Sequence, residues 1–371
     1  MRHLIACITV CVLFLSCKPK PNTNSAQSWR AIPLTYAKGF CLYENDSAQR
    51  IDILNPDNKQ QVLETYYFNK YSSMQLAQNH FYQPQRFACL SSTHIYPFEL
   101  LQQQQKLKVI CGSDLIYAPW VHRQLQQNVI TDAGHDWELN YEKVVAAKPD
   151  VVITYGIDGN YLKSAAKFRE LKLNPVLCME FLEETPLARA EWIKFYGVLF
   201  NQYQLANACF HTMDSAYQFL EKKQTVYADT PAVMFNLPWE NVWYMPAGNA
   251  YFSSLVRDAG GSYAWQDTRS KGSLRISDEE MMSKANAAEV WLHPNEAGSL
   301  AEMRMLYPQC VYYKSYTHAT VFNNTKRSMQ SQNDFWESGT YKPQKVLSDF
   351  IQILHGAAGD SASLYYYKKL Y

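Results

Sequence analysis

The chain reads as an α/β protein of two lobes with parallel-rich sheets, joined by one long backbone helix and preceded by an N-terminal β-extension. Three observations lead there. Between Arg86 and Asn160, short β-rich apolar runs end in small polar or aromatic residues: Leu90 before Ser91, Ile110 before Gly112, Ile153 before Thr154 and Tyr155. Runs without polar alternation suit strands buried on both faces of a parallel sheet. A second set of such runs follows residue 230, at Ala232–Asn236, Glu289–Leu292 and Cys310–Tyr313. Between the two sets, Tyr203 to Lys223 contains no Gly or Pro, long enough for a helix of roughly 30 Å.

In chain order, residues 1–16 read as an export signal. Arg2 and His3 precede the apolar stretch Leu4–Leu15, which is shorter than the ~20 residues a spanning helix needs. Phe14-Leu15-Ser16-Cys17 resembles a lipobox, making Cys17 the expected lipidated residue, and the polar segment 17–29 a tether. Residues 30–84 carry three expected strands, Gly39–Tyr43, Arg50–Leu54 and Gln61–Phe68, with turns at Asn45-Asp46 and Asn55-Pro56-Asp57-Asn58. The first lobe spans 85–182, with helices at Pro97–Gln105 and Tyr141–Lys148. Linking helices occupy 183–228, and the second lobe spans 229–371. There Ser277 and Glu280 have the spacing of a capping box. The order of helix then strand in NYEKVVAAKPDVVITYG is echoed between Arg275 and Pro294, which favours two related lobes facing a shared cleft.

Composition narrows the function. Lys plus Arg is 35 and Asp plus Glu is 34, a net charge of +1, which argues against a nucleic-acid partner. Beyond Cys17, Cys41, Cys89, Cys111, Cys178, Cys209 and Cys310 show no metal-ligand spacing. Cys89, Cys111, Cys178 and Cys310 fall in expected strands, as small buried hydrophobes. No Gly-rich phosphate loop, GxSxG or HExxH is present, so the chain is not expected to be an enzyme and no cofactor is expected.

CLSSTHIYPFELLQ, NYEKVVAAKPDVVITYG, VRDAGGSYAWQD, the segment from Arg275 and the C-terminal NNTKRSMQSQNDFWESGTYKPQKVLSDFIQIL together resemble the substrate-binding proteins of bacterial ABC importers for iron complexes and cobalamin. The resemblance covers roughly residues 85–355 and is to the class with a helical backbone between Rossmann-like lobes. It implies capture of a bulky metal complex (ferric siderophore, haem or cobalamin) and delivery to a permease and its ATPase, by a monomer anchored on a periplasm-facing membrane through lipid alone.

Strand-end loops supply the candidate ligand contacts. They are Ser92, Thr93, His94, Tyr117, His135, Trp137 and Tyr155 in the first lobe. In the second they are Trp239, Trp243, Tyr244 and Arg275, and in the last loop Asn324, Lys326, Arg327, Phe335 and Trp336. Aromatic faces would hold a flat complex and Arg would meet anionic groups. Trp239 and Trp243 serve either as cleft contacts or as core plugs. His94 is either an axial ligand or a cap for the helix near Tyr96. Lys326 and Arg327 are either ligand contacts or solvated surface. Asn333-Asp-Phe-Trp-Glu337 reads as a rigid turn in which Asp334 bonds the backbone ahead. By the resemblance, Asp158 is the candidate carboxylate for docking on the permease. Two other readings stand beside this one: a metal-ion receptor using His94, His135, His293 and Glu337, and an envelope interaction lipoprotein without a small ligand.

Overall fold

The structure, a computed structural model, describes residues 28–69, 79–156, 162–224, 227–356 and 362–371. The expected signal, the lipidated Cys17 and Asp158 lie outside the described residues.

The N-terminal extension is a five-stranded sheet in the order β1 (Arg30–Ile32), β2 (Phe40–Glu44), β3 (Ala48–Leu54), β4 (Val62–Asn69), β5 (His80–Tyr82). It is antiparallel up to β4, and β5 runs parallel to β4. Asn45 closes the β2–β3 turn by accepting the backbone N–H groups of Ser47 and Ala48 on its side-chain oxygen. Phe40 packs on Trp192 at 4.5 Å between ring centroids, and the Tyr66 hydroxyl accepts the N–H of Leu177 at 3.1 Å. These contacts fix the extension to the first lobe.

The first-lobe sheet is wholly parallel: β6 (Phe87–Cys89), β7 (Leu107–Ile110), β8 (Thr131–Asp132), β9 (Val151–Thr154) and β10 (Pro175–Leu177), in the order β10-β9-β6-β7-β8. The chain leaves β6 to one side and returns to it on the other, so the switch point falls beside β6, at the Ser91–His94 turn and Thr154–Tyr155. Such points are where open α/β sheets bind ligands.

The second-lobe sheet has β11 (Ala232–Phe235), β13 (Ser262–Tyr263), β15 (Val290–Leu292), β16 (Val321–Asn323) and β19 (Lys368–Lys369), in the order β13-β11-β15-β16-β19. All run parallel except β19. Two ribbons flank it: β12 (Trp243–Pro246) with β14 (Ser273–Ile276), and the short hairpin β17 (Ser328–Met329) with β18 (Gln332–Asn333). Cys310–Tyr313 is not the expected strand. Pro308 opens a 3₁₀ turn over Pro308–Tyr312, and the parallel strand that follows β15 is β16 instead. Proline fits the first turn of a helix, where its missing N–H costs nothing. Cys310 and Tyr313 are buried in either reading, so burial alone could not separate them.

The linking segment forms helices Pro186–Glu191, Ile193–Leu199 and Tyr203–Gln224. The last, of 22 residues, spans about 33 Å. Ala206, Phe210 and Met213 on one face enter the first-lobe core, while Tyr217 on the same face enters the second. One rigid element thus belongs to both cores. Of the first-lobe helices, Tyr96–Leu100 stops short of Gln105 because Gln102 turns left-handed at φ +56°. Tyr141–Ala146 is capped by Asn140, whose side chain accepts the N–H of Lys143. Ser277 caps Asp278–Ala285 as expected, but Glu280 turns its carboxylate to Trp265 Nε1 and Lys284 instead of completing a capping box. All six described cysteines are free thiols. Cys89 lies within β6, whereas Cys111 and Cys178 follow their strands by one residue.

Two buried glutamates clamp the extension to the linking helices. Glu191 accepts the N–H groups of Thr35, Tyr36 and Ala37 and the ammonium of Lys194 at 2.7 Å. Glu183 accepts those of Lys38 and Gly39 and the indole N–H of Trp192. Only glycine fits at position 39, where a Cβ would stand 2.8 Å from the Trp192 ring. Removing one partner of a buried charged network costs about 3–5 kcal/mol. Glu191→Ala, which strands Lys194 and three backbone donors, is expected to destabilise by that amount, read as a lower midpoint of urea unfolding.

Candidate functional site

The carboxyl ends of three second-lobe strands form the floor of a cleft of about 750 Å³. Asn236 follows β11, His293 and Asn295 follow β15, and Asn323 with Asn324 ends β16. Asn236, His293 and Asn295 all have positive φ, at +59°, +55° and +47°. Asparagine tolerates that conformation better than most residues, and its amide then rebuilds the loop. Asn236 Nδ2 donates to Tyr244 O, Asn295 Oδ1 accepts from Leu237 N, and Asn323 Nδ2 donates to the carbonyls of Asn295 and Ala297.

The β17–β18 hairpin roofs this floor with Ser328, Gln330, Ser331 and Gln332, and the helix Asp334–Ser338 adds Trp336. Phe252 supplies a second aromatic face. The first lobe contributes Leu115, beside the His135–Trp137 stack, whose ring centroids lie 4.2 Å apart in nearly parallel planes. Gly112 sets that wall: a Cβ there would be 3.2 Å from His135 Nδ1 and 3.4 Å from Leu115. The lining holds amides, hydroxyls and aromatic rings, one carboxylate at Glu296, and neither Lys nor Arg.

His293 is 7% exposed. Its Nε2 is hydrogen-bonded to the buried Tyr367 hydroxyl, and burial lowers its pKa to about 3, so the ring is neutral across ordinary pH. Tyr367 is itself held in place, because Asp349 accepts the N–H groups of Tyr365, Tyr366 and Tyr367.

The structure scatters the other candidate contacts over several environments. Asn324 and Trp336 line the cleft. Trp243 does not: it is fully buried against Trp291 and Tyr307, with its indole N–H on Asp278 at 2.6 Å, so it is a core residue. Phe335 likewise turns into the core, 4% exposed. Trp239 is 67% exposed. Tyr244 and Arg275 face each other across β12–β14, outside the cleft lining. Lys326 donates to the carbonyls of Ala362 and Leu364 and thereby ties down the C-terminal segment. Arg327 pairs with Asp334 at 2.5 Å and lies over the Tyr365 ring. Both cations therefore serve the fold, where solvated surface or ligand contact was expected. Asp334 spends its carboxylate on Arg327, and it is Asn333 that accepts the N–H of Phe335.

In the first lobe, Ser92, Thr93 and His94 form a 3₁₀ turn packed against the helix Asp334–Ser338. Thr93 donates to Glu180 at 3.0 Å and buried His94 faces the same carboxylate at 3.5 Å, so His94 does not cap the helix at Tyr96. Burial alone would raise the Glu180 carboxyl. The His94 charge and the bonds from His94, Cys178 and Thr93 outweigh it and bring the pKa down to about 2. The Tyr155 hydroxyl donates to Asp136, and burial with that carboxylate raises its pKa. His135 pairs with Asp114, so His94, His135, His293 and Glu337 meet four different partners and do not converge as a metal-ion receptor would require.

Glu337 joins the lobes. Its carboxylate, 2% exposed, accepts the N–H groups of Tyr117 and Ala118 at the start of the first-lobe helix Pro119–Gln126. Burial raises its pKa to about 8, against the pull of those two bonds. A carboxyl whose pKa is raised on folding contributes stability that is complete below its ordinary 4.5 and is lost as pH rises through about 8. The melting temperature is therefore expected to fall between pH 5 and pH 9. Glu337→Gln, which cannot titrate, should flatten that decline, and equal slopes for both proteins would remove Glu337 from the latch.

The floor residues Asn236, Asn295 and Asn323 and the hairpin were not among the residues expected from the sequence. The signal for the floor was present, since Phe235-Asn236, His293-Pro-Asn295 and Phe322-Asn-Asn324 each end an apolar run in asparagine.

Comparison with known proteins bears on this architecture. A family model described as "Periplasmic binding protein" matches residues 97–304, more than half of the chain. An uncharacterized lipoprotein of Methanocaldococcus jannaschii is 27% identical over 252 residues, which make up 67% of this chain and 58% of the relative. The chain thus spans little over half of that relative's length. Among solved structures, a possible iron-binding (periplasmic solute-binding) protein of Staphylococcus epidermidis superposes with a TM-score of 0.56 at 13% identity, over 74% of this chain and 100% of its own. The periplasmic vitamin B12-binding protein BtuF of Vibrio cholerae gives 0.52 at 14%, over 73% and 97%. At these identities the two structures establish the two-lobed fold.

Proposed function

This chain belongs to the periplasmic binding protein family, and on that premise we propose that it is the lipid-anchored receptor of an ABC importer. It captures a bulky metal complex, an iron complex or cobalamin, in the inter-lobe cleft and passes it to the permease and its ATPase. The observation that carries the reading is the 750 Å³ cleft at the carboxyl ends of β11, β15 and β16, closed by Leu115 of the opposite lobe. Its size is that of a small-molecule site. Cys17 is the anchor, in keeping with the lipoprotein description of the M. jannaschii relative, and Asp158 is the candidate docking carboxylate.

The lining favours an uncharged complex. Amide and hydroxyl side chains both donate and accept, which suits a ligand fringed with amides or hydroxamates. A multiply anionic catecholate, or haem with its carboxylates, would call for Arg or Lys. The S. epidermidis protein is described as possibly iron-binding and BtuF as vitamin B12-binding. His293 is the lining group suited to coordinate a metal at the centre of the complex: a neutral imidazole oriented by a hydrogen bond on its other nitrogen.

The full chain should be titrated with cobalamin, a neutral ferric trihydroxamate, a ferric catecholate and haemin, following tryptophan fluorescence and melting temperature. A neutral complex is expected to raise the melt, with the two anionic ones inert. Trp336→Ala should weaken that binding about tenfold or more, ~1.4 kcal/mol per factor of ten. Silence towards all four complexes would end the receptor reading, and preference for the catecholate or haemin would reverse its charge selectivity.

A further inference from the structure

Away from the cleft floor, three donor groups of different chemistry meet inside the first lobe. His94 comes from the turn after β6, and Cys178 and Glu180 from the segment after β10. All three are buried, and their ligand atoms lie within 4.8 Å of one another. Glu180 Oε2 is 3.5 Å from His94 Nε2 and 3.2 Å from Cys178 Sγ. A tetrahedral zinc ion with ordinary bond lengths sets nitrogen–oxygen and sulfur–oxygen edges of about 3.4 and about 3.6 Å. These two edges differ from the zinc values by a few tenths of an ångström, and the third, between the His94 nitrogen and the Cys178 sulfur, lies within 4.8 Å.

The surroundings add two further observations. Thr93 Oγ1 donates to the other oxygen of Glu180 at 3.0 Å, the kind of outer contact that orients a ligating carboxylate. His94 Nδ1 and the Thr154 hydroxyl are buried without a hydrogen-bond partner among the described residues. Thr154 is the β9 neighbour whose carbonyl accepts the N–H of Cys178. Unpaired buried polar groups call for an explanation, and an ion with a bound water is one.

We propose that His94, Cys178 and Glu180 form a site for a zinc-class divalent cation that braces the first-lobe turn at Ser92–His94. Thiolate, imidazole and carboxylate are together a donor set for a borderline-soft ion, with water or a nearby hydroxyl as fourth ligand. On loading, the thiol proton and the proton on His94 Nε2 both leave for solvent, so that sulfur and nitrogen each offer a lone pair. The site is closed, because the Ser92–His94 turn packs under the second-lobe helix Asp334–Ser338. The ion therefore enters as the chain folds or when the lobes part. It is independent of the cleft ligand, whose floor belongs to the other lobe.

The test uses the full chain, unfolded with chelator and refolded with or without Co²⁺. The cobalt form is expected to hold one ion per chain by elemental analysis. It should show a thiolate-to-cobalt charge-transfer band and the intense visible bands of four-coordinate cobalt. Cys178→Ala should abolish the charge-transfer band and Glu180→Gln should lower retention of the ion, each checked for native circular dichroism. If a variant does not fold, the charge-transfer band of the unsubstituted chain still reports the thiolate ligand. A refolded native chain that retains no cobalt, or a cobalt spectrum unchanged by Cys178→Ala, would overturn the proposal.

Discussion

A carboxylate removed from water must find donors, and in this protein the donors are backbone N–H groups of distant segments. Glu191 gathers three of them from the loop before β2, Glu183 gathers two more and an indole, and Asp349 gathers three from the C-terminal segment. Glu337 takes the N–H of Tyr117 from 220 residues away. An acid buried without such donors would be costly, whether ionised or protonated. The result is one fastening scheme at the extension, at the tail and between the lobes.

The cleft depends on these fastenings. Asp349 holds the Tyr365–Tyr367 backbone, Tyr367 orients His293, and His293 stands at the end of β15 on the cleft floor. Glu337 pins the last loop to the opposite lobe, and the same loop presents Trp336 to the cleft. The helix Tyr203–Gln224, packed into both cores, keeps the two walls at a set distance. The cations near the site are consumed in this framework, Arg327 by Asp334 and Lys326 by two carbonyls. That leaves the lining to amides and aromatics.

Much of the architecture was legible along the chain. The buried runs at 87–89, 107–110 and 151–154, the asparagine turns of the extension and the unbroken helix to residue 224 all depend on neighbours a few residues apart. The Cys310–Tyr313 run failed because an apolar β-rich string and a buried 3₁₀ turn share one composition, and only Pro308 distinguished them. Site residues were harder. Trp243 and Trp336 are both tryptophans in loop-rich sequence, yet one fills the core and the other lines the cleft.

By itself the sequence determined the class of fold, the order of its elements and the absence of a charge balance suited to nucleic acid. Those features rest on periodicity, turn chemistry and composition, which are local or global sums. Tertiary structure decided which polar groups remain for a ligand. Thr93, His94, Lys326 and Arg327 all looked available at strand and loop ends, and folding brought the side chain of each a partner from elsewhere in the chain. Asn236, Asn295 and Asn323 looked like ordinary turn residues, and folding set them side by side on one floor. Pairing across long separations is a property of the packed chain, because a donor and its acceptor carry no mark of each other until burial forces them together.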